Sequence, residues 1–330
     1  QVVQGLNWHP VAQGLFYFLC LGAGKIVIGL PFQWIDTFRV EERFGFNRTT
    51  QGTFWSDQVK SWLMLVILGG GLAAAVLGLF HWLGPSAWFW GWLVFLVFNA
   101  VLLYVAPAWL MPLFYKFTPL EEGDLREEIE GYASREKFPL KEVFIVNGSL
   151  RSSKANAFFT GFGRNRRVAL YDTLVEKQSV RELVAVLAHE IGHFRLKHIP
   201  RMVVLSFLQA GVLFFLAGQF VDSAPLAAAF GVAEPTNHTG LVFFMILFSP
   251  MSRVLGVGVQ ALSRKHEFEA DAFAARTSGY GAELGTALKS LARENLSHLT
   301  PHPLYIWLHH SHPPLHERLA ALEQEERGDR

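Results

Sequence analysis

Long uninterrupted apolar runs dominate two parts of the chain. Five of them, near residues 11–30, 61–80, 86–110, 202–221 and 240–262, are long enough to cross a bilayer as helices. A hydrocarbon core of roughly 30 Å takes about 20 helical residues. Lys25 lies near one end of the first run, where its ammonium reaches the interface while its stem stays in lipid. Pro250 and Arg253 interrupt the fifth run, which predicts a kink and one face turned from lipid.

Between the third and fourth runs the pattern changes. "LEEGDLREEIEGYASREK" (120–137) has the periodicity of a polar amphipathic helix, and "KEVFIVNG" (141–148) reads as a strand ending in an Asn-Gly turn. Within "NRRVALYDTLVE" (165–176), Val168 to Tyr171 alternates as a second, half-exposed strand. "SVRE" then forms a capping box, Ser179 with Glu182, opening a helix expected over about 180–198. The pattern therefore predicts a mainly α chain in four parts. Residues 1–110 carry three membrane helices and a loop at 31–57, and 111–201 form an α/β insert. Residues 202–262 add two more membrane helices, and 263–330 form a helical tail.

Composition sharpens this picture. The chain is 51% hydrophobic and only 17% charged, where soluble domains carry about a quarter charged residues. A net charge of +1 excludes a nucleic-acid partner held by a general basic field. The single cysteine, Cys20, excludes an intrachain disulfide and a CxxC metal site. No cleavable signal peptide is evident, and because the chain opens on Gln1, a missing N-terminal piece is expected. Arg39, Arg43 and Arg48 lie in 31–57, and 111–201 and the tail are rich in Lys and Arg, whereas 81–85 and 222–239 have none. The positive-inside rule thus predicts that 31–57, 111–201 and the tail are cytoplasmic.

Candidate chemistry lies in "LAHEIGHFRLKH" (187–198). His189 and His193 stand one helical turn apart, so both imidazoles can reach one metal ion. Glu190, beside the first histidine but not placed to ligate with the pair, is the natural general base for a metal-activated water. A pair of surface histidines would give the same letters, but the stripe Leu183, Val184, Leu187 and Ile191 sets the motif in the middle of a packed helix. Catalytic zinc takes three protein ligands and keeps one position open. Leu196 and Ile199 stand where a metzincin would have glycine and a third histidine, so that class is excluded. "SRKHEFEADAFA" (263–274) offers Glu267, with Asp271 one turn on to fix a ligand imidazole. By spacing, His266 and Glu269 stay open as ligands, as does a plain solvated charge run.

These motifs together resemble the type I CAAX prenyl proteases, integral-membrane zinc metallopeptidases. Those that carry the resemblance are "LPFQWIDTFRVEERFGFNRTT" (30–50), "PLFYKFTPLEEGDLR" (112–126), "NAFFTGFGRNRRVALYDTLVE" (156–176), "VLAHEIGHFRLKH" (186–198), "SRKHEFEADAFA" (263–274) and "SHPPLHERLAAL" (311–322). The resemblance implies a polytopic membrane helix bundle with a gluzincin-like α/β insert and a chamber between the helices. It also implies one Zn²⁺ held by His189, His193 and Glu267. Asn156 with Ala157 is implied to hold the substrate backbone along an edge strand, for which the strand at Val168 to Tyr171 is the expected guide. His312 and Arg318 are implied to steady the substrate and its oxyanion. Ser311 is expected to cap the last helix, with the prolines in its first turn. The family normally has seven membrane helices against five here, which places two before residue 11.

Other classes fit less well. An intramembrane protease would bury HExxH within a span, yet Arg181, Arg195 and Lys197 flank it. A zinc transporter would need a ligand cluster inside the spans, and an inactive scaffold has no use for Glu190 beside a full ligand set. The expected partners are membrane lipid and a lipidated or membrane-associated peptide or protein. A quality-control protease without prenyl specificity stays open. The Trp-, Ala- and Arg-rich style suggests a bacterial inner membrane, with the endoplasmic reticulum as the eukaryotic counterpart.

Overall fold

Alternation and capping decide the architecture around the motif. In the computed structural model, which describes residues 7–160 and 166–328, the chain sorts into two units. The motif lies in the unit formed by Phe46–Arg48, Ala106–Val203 and Arg253–Arg330. Its sheet has four strands, β1 (Phe117–Pro119), β2 (Leu140–Val146), β3 (Ala157–Thr160) and β4 (Arg166–Tyr171), in the order β1-β2-β4-β3. β2 and β4 run parallel, and both outer strands are antiparallel to their neighbours. β4 was expected to be half exposed and to guide substrate. It is instead a central strand with Val168, Ala169 and Leu170 all buried, so both of its edges are already paired. The edge strands are β1 and β3, and β3 is the one beside β4.

Helix Asp124–Arg135 and the motif helix, Val180–Arg195, pack on this sheet. Their apolar positions Ile129, Tyr132, Leu183, Val184, Leu187 and Ile191 form one core with Val168 and Leu170. The capping box at Ser179 and Glu182 forms as expected, with the carboxylate accepting from the Ser179 backbone N–H at 2.7 Å. The far end differs from expectation. The helix stops at Arg195, and Lys197 takes φ +59°, a left-handed conformation that no helix continues through. His198 therefore opens the next helix, His198–Phe220.

Helix Asn237–Ser278 runs unbroken through Pro250 and carries Glu267 and Asp271 beyond its apolar part. Gly192 is where it meets the motif helix. A Cβ there would stand 3.2 Å from the Ala270 Cα and carbonyl oxygen, tighter than an ordinary contact, so any side chain would push the two helices slightly apart. The last helix, Leu315–Arg327, is capped by Pro314 and not by Ser311. Ser311 lies outside the helix, with its hydroxyl paired to His312 Nδ1 at 2.9 Å.

The second unit takes in the chain up to Gly45, Thr49–Val105 and Val204–Ser252. Its helices include Pro10–Ile35, Gln51–Met64 continuing through a wide turn into Gly70–Leu83, and Ala87–Val105. All five apolar runs fall inside helices. Val27, Ile28, Ile67 and Trp82 are each about 70% exposed, the inside-out pattern of a multi-pass membrane protein whose solvent is lipid. The expected loop at 31–57 is shorter than predicted. Helical structure continues to Glu41, and Thr50 caps the next helix by accepting from the Thr53 N–H.

Candidate metal centre

The i, i+4 spacing places both histidines of HExxH on one face of the motif helix, and the long helix brings a carboxylate to meet them. His189 Nε2 and His193 Nε2 approach to 3.1 Å. Glu267 Oε2 lies 3.5 Å from the first and Oε1 3.4 Å from the second. Ligand atoms at 2.0–2.2 Å from a tetrahedral ion stand roughly 3.3–3.6 Å apart, so this triangle fits one metal ion. Glu267 Oε2 is buried without a hydrogen-bond partner, as a carboxylate prepared for a cation would be. Two nitrogens and one carboxylate leave a fourth position open.

The other nitrogen of each imidazole is engaged. Asp271 Oδ1 takes His189 Nδ1 at 2.8 Å, which directs the Nε2 lone pair into the triangle. Asp271 is in turn gripped by Arg318, whose Nε donates to Oδ2 at 2.7 Å and Nη2 to Oδ1 at 2.6 Å. Arg318 Nη1 stands 3.4 Å from Glu267 Oε2, so one buried cation serves both carboxylates. Burial pushes the Asp271 carboxyl up, but the hydrogen bonds from Arg318 and His189 outweigh it and hold it down at about 2. Glu267 is likewise raised by burial and brought down to about 2 by His193 and the neighbouring His189, Arg318 and His312. Burial disfavours the Arg318 cation, yet Asp271 keeps it above its ordinary value. His193 Nδ1 meets His198, a contact the sequence pattern did not suggest.

A cleft of about 780 Å³ opens on the triangle. Glu190 lines it beside His189, and Ala155, Asn156 and Ala157 form a wall at the start of the edge strand β3. Asn156 is tied in place from both sides: its carbonyl accepts from the Tyr171 N–H at 3.0 Å, and its Oδ1 accepts from the Ala157 N–H at 2.8 Å. His312 is mostly exposed in the cleft, with Nε2 3.4 Å from Glu267 Oε1. The structure thus gathers His189, Glu190, His193, Glu267, Asp271, Asn156, Ala157, His312 and Arg318 around one point. His266 and Glu269 belong to neither the triangle nor the cleft lining.

An HExxH pair completed by a glutamate from a later helix, in a chain with several membrane-crossing helices, defines an integral-membrane metallopeptidase. Residues 119–326 match peptidase family M48, and residues 1–116 match the CAAX prenyl protease N-terminal region described as five membrane helices. The chain belongs to peptidase family M48. It is 40% identical over 306 residues to a CAAX prenyl protease 1 homolog of Arabidopsis thaliana, covering 91% of this chain and 71% of that protein. It is 36% identical over 330 residues to CAAX prenyl protease 1 of Saccharomyces cerevisiae, covering 95% and 72% respectively. The crystal structure of S. mikatae Ste24p superposes with a TM-score of 0.91 at 35% identity, covering 96% of this chain and 77% of that one. These relatives are eukaryotic and lend no support to the expectation of a bacterial source.

Proposed function

We propose that the centre holds one zinc ion through His189, His193 and Glu267, and that the chain cleaves a CAAX-type, prenylated substrate at the membrane. The observation that carries the reading is the convergence of the two Nε2 atoms and the Glu267 carboxylate, at 3.1–3.5 Å, in the floor of a cleft lined by Glu190. The names of the relatives support the substrate class. A CAAX substrate ends in a short extended tail whose cysteine carries the prenyl group.

Bound zinc supplies a Lewis acid that acidifies water and polarises a carbonyl. Glu190 takes the proton of the attacking water and hands it to the leaving amine. The substrate lies extended along β3, with main-chain hydrogen bonds near Asn156 and Ala157. Its carbonyl faces His312, which donates as negative charge develops, and the Arg318 cation adds to the same field. Asp271 holds His189 in the ligating tautomer. The Lys and Arg content of 111–201 and of the tail supports a cytoplasmic position for the site.

The test offers the detergent-solubilised enzyme a folded soluble domain with a prenylated CAAX tail, the same tail unprenylated, and no tail. Mass spectrometry of the products should show cleavage within the prenylated tail and an intact folded part. Equal cleavage of all three would favour a general membrane protease instead.

A further inference from the structure

Behind His193, away from the converging ligand atoms, lies a second group of polar side chains: His198 and His266, both buried, and the half-buried Glu269. His193 Nδ1 is 3.0 Å from His198 Nδ1, and His198 Nε2 is 2.9 Å from Glu269 Oε2. The protons of this chain of contacts can be assigned one by one. If His193 ligates through Nε2, the reading proposed above on which this inference rests, its one proton is on Nδ1. That proton points at His198 Nδ1, which must then accept. His198 therefore carries its own proton on Nε2 and donates it to the Glu269 carboxylate. Every link has one donor and one acceptor.

We propose that His198, oriented by Glu269, is the positioning residue for His193: it fixes the tautomer and ring rotation that aim Nε2 at the metal. The two ligand imidazoles are thus supported differently. His189 leans on a carboxylate directly, whereas His193 reaches one only through a second imidazole. The local fold is built for this contact. The left-handed turn at Lys197 ends the motif helix and lets His198 come back onto His193. His266 lies flat against His198, with ring centroids 4.0 Å apart and planes within 8°, and so holds its orientation.

A rival use of the same residues is a second metal site, since their ligand atoms lie within 4.8 Å of one another and His266 Nε2 is buried without a partner. Two features oppose it. The lone pairs of stacked rings lie in nearly parallel planes set apart by the stack, so they do not converge on one point. And a His198 that accepts from His193 and donates to Glu269 has no lone pair left for an ion.

The experiment measures zinc affinity by chelator competition, with zinc stoichiometry, for the full chain and for His198→Phe, His198→Gln, Glu269→Ala and His193→Ala. His198→Phe keeps the ring stack but removes the acceptor, and should weaken zinc binding about 10–100-fold. His198→Gln should recover most of the loss, because its carbonyl can accept the Nδ1 proton, and a merely structural role would show no such recovery. Glu269→Ala should weaken zinc by a smaller factor than His198→Phe. Wild-type affinity in His198→Phe, alongside loss of zinc in His193→Ala, would overturn this proposal alone. Retention of zinc by His193→Ala would overturn the ligand reading and this proposal with it. Two zinc ions per wild-type chain, with the second lost on replacing His266, would overturn it in favour of the rival site.

Discussion

Replacing Arg318 by alanine separates two contributions that the same side chain makes. The guanidinium gives Asp271 two short hydrogen bonds, at 2.7 and 2.6 Å, and faces Glu267 Oε2 at 3.4 Å. Asp271 is 1% exposed, so its partner is lost inside the fold and not at the surface. Leaving one member of a buried ion pair uncompensated costs about 3–5 kcal/mol. Burial would then raise the Asp271 carboxyl against His189 alone, and its protonated form is a poorer acceptor for His189 Nδ1–H. Zinc affinity should fall about 10–100-fold, as when the outer partner of a ligating histidine is lost. The unfolding midpoint of the zinc-free protein should fall as well. At saturating zinc the site refills, and what remains of the loss in turnover, about 100-fold, measures the missing cation near the oxyanion. The assays are chelator competition, thermal unfolding with and without zinc, and kcat against zinc concentration. Unchanged zinc affinity and unchanged stability would refute the bracing role. Full recovery of kcat at saturating zinc would refute the role at the oxyanion.

Three further outcomes are expected. Glu190→Gln should bind zinc with wild-type affinity and lose about 10²–10⁴-fold in turnover, read from metal content beside product release; an active variant would remove Glu190 as the base. Asp271 has a folded-state pKa near 2 against an ordinary 3.8, so its stabilisation is present above the unfolded value and is lost as pH falls through 4 toward 2. In the zinc-free protein that loss is worth roughly 2 kcal/mol, and an Asp271→Asn variant should show a correspondingly flatter acid limb in unfolding experiments between about pH 5 and 2. Gly192→Val should push the motif helix off Ala270 and weaken zinc binding while leaving the capping box intact, which chelator competition would reveal.

The metal-binding face was legible because helical spacing translates directly into space. His189 with His193, and Glu267 with Asp271, are i, i+4 pairs, and each pair does share a face. Spacing alone did not separate Glu267 from His266 and Glu269, since which side of the long helix meets the motif helix depends on the close approach at Gly192. The same pattern puts His198 at the end of the motif helix and gives it no further part. Its role depends on the left-handed Lys197, and a single lysine gives no signal for that conformation. β1 and β3 were missed because they span three and four residues, too few for alternation to register. The burial of β4 was misread because the alternation of Val168 to Tyr171 suggested one open face, whereas the strand is central and Val168, Ala169 and Leu170 are all buried.

Glu267, Glu269 and Asp271 sit on one rigid helix with no break between them. Each residue turns a helix by about 100°, so their spacing cannot drift in the way a loop's can. An insertion or deletion between positions 267 and 271 would rotate Asp271 off His189 while leaving Glu267 in place, and no neighbouring bond could absorb the change. In the stretch from Asn295 to His302, which links two helices and lines part of the cleft, an added residue can change the lining but turns none of the ligand pairs. Length variation among functional descendants of this chain is therefore confined by the centre itself: forbidden for five residues of the long helix, and tolerated a few dozen residues later in the same tail.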